Sequence, residues 1–107
     1  MRLNFCNITR GSRKAALVQH LLQLVAQEYD CAQGDLWKQL KTGHEPLGLT
    51  VTQCLNNLGW PVTWYKLAHP DQRVDRYGEL VDCESVSLGW WIDDQSEALV
   101  EWQLQNP

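Results

Sequence analysis

The sequence lacks the patterns that identify most enzymes. The glycine-rich signatures of nucleotide-binding loops and the HExxH pattern of zinc proteases are absent. Its four cysteines form no CxxC pair and stand at no zinc-finger spacing to a histidine. We therefore expect no catalytic residues, no metal and no cofactor, and we expect that the protein is not an enzyme.

Long apolar runs are also missing. No run approaches the length that a membrane-spanning helix needs, and the first ten residues, MRLNFCNITR, contain no apolar signal segment. These absences predict a soluble, cytoplasmic protein that does not engage a membrane. The cytosol is reducing, so we expect the cysteines to be free thiols, with Cys6, Cys31 and Cys54 as small core residues.

Phenylalanine and methionine occur once each, whereas the chain has six tryptophans among 107 residues. A hydrophobic content of 44% with 21% charged residues is typical of a globular chain, and the length suits a single domain over residues 1–107. Tryptophan has a large apolar ring system and one N–H donor. Six of them can build a core, a binding surface, or both.

Charge is distributed unevenly along the chain, whose net charge is −4. Residues 1–43 contain six basic and three acidic residues, and residues 44–107 contain three basic and ten acidic residues. An acidic second half argues against broad contact with phosphates, which needs clustered Lys and Arg. It is compatible with a basic protein partner, and also with a merely solvated acidic surface.

The first half is predicted to be mainly helical. The clearest signal is a wide apolar stripe at helical spacing over residues 12–29, with Ser12 as a plausible N-cap. The other predictions for this half are a strand at 2–8, a short helix at 36–41 capped by Asp35, a loop at 44–48, and a third helix from Thr50 or Thr52 to about Leu58, ended by Gly59.

The second half is predicted to be mainly β-structure. Strands are expected at 61–67, 79–86 and 88–92, with a polar loop at 69–78 that contains Pro70 and Gly78. Residues 97–105 fit either a final strand paired with 88–92 or a short helix, and their alternation slightly favours the strand. Segregated helices and strands predict an α+β fold: a short N-terminal strand, three helices, and a C-terminal antiparallel sheet of three or four strands.

Three helices followed by a β-hairpin resemble a winged helix–turn–helix domain over residues 35–67. The residues that carry the resemblance are Leu49, Thr50, Leu55, Leu58, Gly59, Trp60 and Val62. The resemblance implies a DNA-binding transcriptional regulator whose third helix enters the major groove. Its outward residues would be Thr52, Gln53, Asn56 and Asn57, of which Asn and Gln can read adenine edges. Phosphate contacts would come from Arg10, Arg13, Lys14, Lys38 and Lys41, which can also form a solvated face.

The C-terminal tryptophans and carboxylates favour a different function. Trp90 and Trp91 are adjacent on a predicted strand, so they must point to opposite faces. An exposed tryptophan beside Asp93, Asp94 and Glu97 has the composition of a protein–protein hot spot. The candidate partner-binding set is therefore Trp64, Trp90, Trp91, Asp93, Asp94 and Glu97. We therefore predict a small binding or regulatory module, of the inhibitor or immunity-protein type, that binds a protein partner, and we keep DNA binding as the alternative.

Overall fold

The computed structural model describes the backbone of residues 1–107 and every side chain except those of residues 83–85. It has the predicted α+β class. In chain order the elements are β1 (Arg2–Asn4), α1 (Arg13–Tyr29), α2 (Gln33–Lys41), α3 (Glu45–Asn57), β2 (Val62–Val74), β3 (Leu80–Ile92) and α4 (Glu97–Gln105).

Local sequence explains where the helices begin and end. Ser12 caps α1 by accepting a hydrogen bond from the Ala15 backbone N–H at 3.2 Å, as the sequence predicted. Gly59 adopts φ +94°, the left-handed conformation expected just past the end of α3. The predicted loop at 44–48 is wrong: α3 begins at Glu45, and Pro46 fits in its first turn because the N–H that proline lacks has no helical partner there.

The strands form one antiparallel sheet in the order β1–β3–β2. Arg2 and Leu3 pair with Trp91 and Trp90 on one side of β3, and β2 pairs along the whole of its other side. The predicted loop at 69–78 is wrong, because β2 runs on to Val74 and only residues 75–79 connect it to β3. Pro70 is tolerated because β2 is an edge strand, where a missing N–H breaks no ladder bond.

Residues 97–105 form helix α4, so the slight preference for a strand was wrong. Over residues 89–91, β3 already pairs with β1 on one side and with β2 on the other, which leaves no edge for a further strand. The helix instead buries Leu99 and Trp102, which are three residues apart and therefore lie on one helical face.

One hydrophobic core lies between the helices and the base of the sheet. Its largest fully buried side chain is Trp90, which meets the Phe5 ring edge-on at a centroid distance of 5.0 Å. Gly48 on α3 lets the Trp64 ring approach closely, because a Cβ at that position would lie 2.6 Å from two ring carbons. Cys54 is buried as predicted, whereas Cys6 and Cys31 are exposed, so the core prediction was wrong for these two.

The outer part of the β2–β3 hairpin extends away from the helices. We call residues 67–86 the β-arm. The molecule measures 51 × 29 × 22 Å and its radius of gyration is 15.9 Å, above the ~13 Å expected of a compact chain of this length. The arm ends in an ordered turn, in which the Asp75 carboxylate accepts hydrogen bonds from the backbone N–H groups of Tyr77 and Glu79. The arm is therefore a regular hairpin that the helices do not cover.

Candidate functional site

The helices cover only one face of the sheet. On that inner face Leu3, Val62 and Trp90 are buried. The opposite face, which we call the outer face, carries the alternate residues, and its base includes Arg2, Thr63, Tyr65 and Trp91. Trp91 is 46% exposed there, whereas its neighbour Trp90 is 0% exposed. The alternation of adjacent tryptophans predicted this difference.

Tyr65 lies across the strand from Gly89 on the outer face. A Cβ on Gly89 would lie 2.7 Å from the Tyr65 hydroxyl and 2.0 Å from the carbonyl oxygen of Leu3, so only glycine fits. The Arg2 guanidinium stacks above the Tyr65 ring, 5.4 Å from its centroid. Burial raises the pKa of Tyr65, an effect that the Arg2 charge partly offsets. The hydroxyl has no hydrogen-bond partner in the described structure.

Carboxylates follow directly after the outer face. Asp93 and Asp94 lie in the turn after β3, and Glu97 lies in the first turn of α4; all three are exposed. Asp93 accepts a hydrogen bond from the backbone N–H of Gln95 at 2.9 Å, and Asp94 pairs with the N-terminal ammonium at 2.9 Å. We call Trp91, Asp93, Asp94 and Glu97 the acidic corner. Its members lie within seven residues and are all accessible to a partner.

Two tryptophans of the predicted partner-binding set, Trp64 and Trp90, pack against the body of the protein. Trp90 is fully buried, so no partner can touch it in the folded protein, and this assignment was wrong. Trp64 is half-buried against Gly48 and stacks obliquely near Phe5, at a centroid distance of 5.8 Å. Both point to the inner face because they are cross-strand partners in the β2–β3 register. The exposed residues of the predicted partner-binding set are thus those of the acidic corner.

Helix α3 exposes fewer base-reading groups than its sequence predicts. The Thr52 hydroxyl donates a hydrogen bond to the Gly48 carbonyl at 2.7 Å. The Asn56 amide donates to the carbonyls of Thr52 and Val62, which ties α3 to β2. These two side chains are engaged in holding the fold. Gln53 and Asn57 are exposed and make no hydrogen bond to another described side chain.

The candidate phosphate-binding residues do not form one surface with α3. The Arg13 guanidinium donates to the Asn106 carbonyl at 3.1 Å, beside the end of α4. Arg10 lines a cavity between the β1–α1 loop and α2, and Lys14 is exposed on α1. No Lys or Arg lies on α3 itself, and Glu45 at its start pairs with Lys66 of β2 at 3.4 Å.

The β-arm carries apolar side chains that the sequence assigned to a loop or gave no role. Among its described side chains the most exposed of them are Tyr77 (77%), Leu80 (73%) and Val74 (64%), followed by Val81, Val86 and Leu67. Within the same segment there are five acidic and two basic residues. The sequence predicted a strand over 79–86, but only the pairing of β2 with β3 places this surface outside the body.

Among the described side chains, no group of three or more His, Cys, Asp or Glu residues is arranged to hold a metal ion. The helices in the described part of the chain are too short or too polar to cross a membrane. No family model, curated protein or solved structure matches the chain.

Proposed function

We propose that this chain is a non-enzymatic protein-interaction module that binds a basic protein partner through the outer face of its sheet and the acidic corner. The observation that carries the proposal is Trp91, 46% exposed on the uncovered face of a sheet whose other face packs against the helices at its base. An exposed aromatic ring followed in the chain by three exposed carboxylates matches the composition of energetic centres in protein interfaces.

The β-arm supports the same proposal. An isolated two-stranded hairpin is marginally stable in water, and an exposed apolar hairpin edge is prone to aggregation. The arm nevertheless presents Val74, Leu80 and Tyr77 to solvent around an ordered turn. Val74 and Leu80 lie on the inner face of the arm, so a partner that contacts this face as well as the outer face at the base would cover them. The surplus of acidic residues in the arm favours a partner with positive surface charge.

The test is a quantitative capture of partners from the native source, followed by binding measurements with the purified partner. Trp91→Ala is expected to weaken binding at least tenfold, because truncating an interface centre of this kind costs about 2 kcal/mol or more. Asp93→Asn together with Asp94→Asn is expected to slow association and to reduce its dependence on salt.

Matched control variants distinguish the loss of this binding surface from the general effect of removing an apolar side chain or a charge. Val100→Ala removes an exposed apolar side chain from α4, and Glu28→Gln with Asp35→Asn removes two charges elsewhere. Both controls are expected to bind as the unaltered protein does. Equal binding by the Trp91 variant and the controls would refute the proposed surface.

DNA binding is a second candidate function, supported by the order of elements. Three helices precede a hairpin, in the arrangement that resembles a winged helix–turn–helix domain, and Gln53 and Asn57 are free on the exposed side of α3. In this case Gln53→Ala and Asn57→Ala would lower affinity for a specific duplex, and affinity would fall steeply with added salt. Asn56→Ala is unsuitable because it breaks the contact between α3 and β2. No retention on DNA at low salt would refute this candidate.

A further inference from the structure

A cavity separate from the sheet surface opens between the β1–α1 loop, α1 and α2. Its volume is about 340 Å³. Small-molecule sites span roughly 300–1,000 Å³, so this one suits a ligand of one or two rings. The floor is apolar: Leu22 and Ala15 of α1 are buried there, and Ile8 and Trp37 are partly buried.

The rim of the cavity is cationic. Arg10 comes from the β1–α1 loop and Lys41 from the end of α2, and the lining includes no Asp or Glu. Neither cation forms an ion pair with a described carboxylate. Lys41 Nζ lies 5.2 Å from the centroid of the Trp37 ring, which holds the ammonium beside the apolar floor.

The remaining polar groups of the lining are neutral. Gln19 and Gln33 lie between the two helices, where the Gln33 amide donates to the Gln19 carbonyl at 2.9 Å. Gly34, in the first turn of α2, contributes backbone only, and α2 has no side-chain cap at its start. The electrostatic character of the cavity is therefore set by two positive charges above an apolar surface.

We infer that this cavity binds a small aromatic carboxylate. The ring would rest on Leu22 and Trp37, and the carboxylate would accept charge-assisted hydrogen bonds from Arg10 and Lys41. A bare phosphate would leave the apolar floor uncovered, and a neutral aromatic would leave both cations unpaired. This inference is independent of the proposed protein-binding surface, because it involves neither the outer face nor the acidic corner.

Titration of the ¹⁵N-labelled full chain with benzoate tests the inference. We expect saturable shifts of the Trp37 indole N–H and of the Gly11 and Gly34 amides, all of which line the cavity. Benzyl alcohol keeps the ring without the charge, and inorganic phosphate keeps charge without the ring. Each is expected to bind at least tenfold more weakly than benzoate.

Variants of Arg10 and Lys41 test whether these two side chains bind the carboxylate. Arg10→Gln and Lys41→Gln are each expected to weaken benzoate binding about tenfold, which is the loss of one charge-assisted contact. Lys38→Gln removes an exposed charge from the same helix without touching the cavity and is expected to leave the affinity unchanged. The variants are folded if their spectra are unchanged outside the cavity. Absence of a saturable shift, equal affinity for benzyl alcohol, or equal affinity for phosphate would overturn the inference.

Discussion

The helical body and the β-arm use the same residue types in opposite ways. In the body Leu17, Leu21 and Trp90 are fully buried in one core. In the arm Val74 and Leu80 stand opposite each other across the strands and both are mostly exposed. Burial of apolar surface stabilises the body, at ~25 cal/mol per Å² removed from water. The arm gains little from such burial, so its apolar surface is available to a partner.

Substitutions of the adjacent residues Trp90 and Trp91 are expected to show the largest difference in stability between a buried and an exposed tryptophan. Trp90→Ala is expected to destabilise the protein by ~3–5 kcal/mol, because it empties the centre of the core. Trp91→Ala is expected to cost about 1 kcal/mol or less, because its ring is half in solvent. Denaturant unfolding measures both. Equal losses from the two variants would mean that the outer face is part of the folding core.

Two helical glycines test the packing of the body against the sheet. Gly48→Ala is expected to destabilise the protein by ~2 kcal/mol, since the new methyl group would meet the Trp64 ring at 2.6 Å. Gly34→Ala, with nothing within 4 Å of its new Cβ, is expected to stabilise α2 by ~0.5–1 kcal/mol. Thermal unfolding distinguishes them. A stabilising Gly48→Ala would show that Trp64 is loosely packed.

Substitutions in the β-arm test whether its exposed apolar side chains contribute to the stability of the free protein. Val74→Thr and Leu80→Gln remove exposed apolar groups from the inner face of the arm. Each is expected to change the free energy of unfolding by less than ~0.5 kcal/mol, as surface substitutions usually do. Both are expected to weaken binding of the partner. A large loss of stability in the free protein would place these side chains in an intramolecular contact.

The smallest expected effect is a change in folding stability at high pH. Burial raises the pKa of Tyr65 in the folded protein above its ordinary value of about 10. The unfolded chain therefore loses the phenolic proton first as pH rises, and this group lowers the stability above about pH 10. Tyr65→Phe is expected to remove that loss while leaving stability near pH 7 unchanged or slightly higher, because the hydroxyl has no partner. Unfolding midpoints measured across this pH range check both effects.

Local signals predicted the parts of the fold that local physics determines. The stripe of α1, its Ser12 cap and the glycine after α3 were all read correctly. The continuous strand through Pro70 was not, because proline and neighbouring polar residues are typical of loops, and only the distant partner strand makes them an edge strand. The helical state of 97–105 likewise depends on β1 occupying the edge of β3.

The candidate site was partly predictable for the same reason. Alternation along one strand indicated that one of Trp90 and Trp91 would be exposed, but not which one, since the face that the helices cover is a tertiary property. Thr52 and Asn56 were predicted to face a ligand, yet their side chains bond to backbone carbonyls. The cavity beside Trp37 arises where α1, α2 and the preceding loop meet, and no pattern within one element reveals it.

Hydrogen exchange of the protein, alone and with its purified partner, tests the central claim most directly. In the free protein the amides of the arm are expected to exchange faster than those of α1, because the arm lacks a covering layer. With the partner bound, protection is expected to increase over the arm, Trp91 and the following turn, and to remain unchanged over α3. Protection that appears on α3 while the arm and Trp91 stay unchanged would contradict the account.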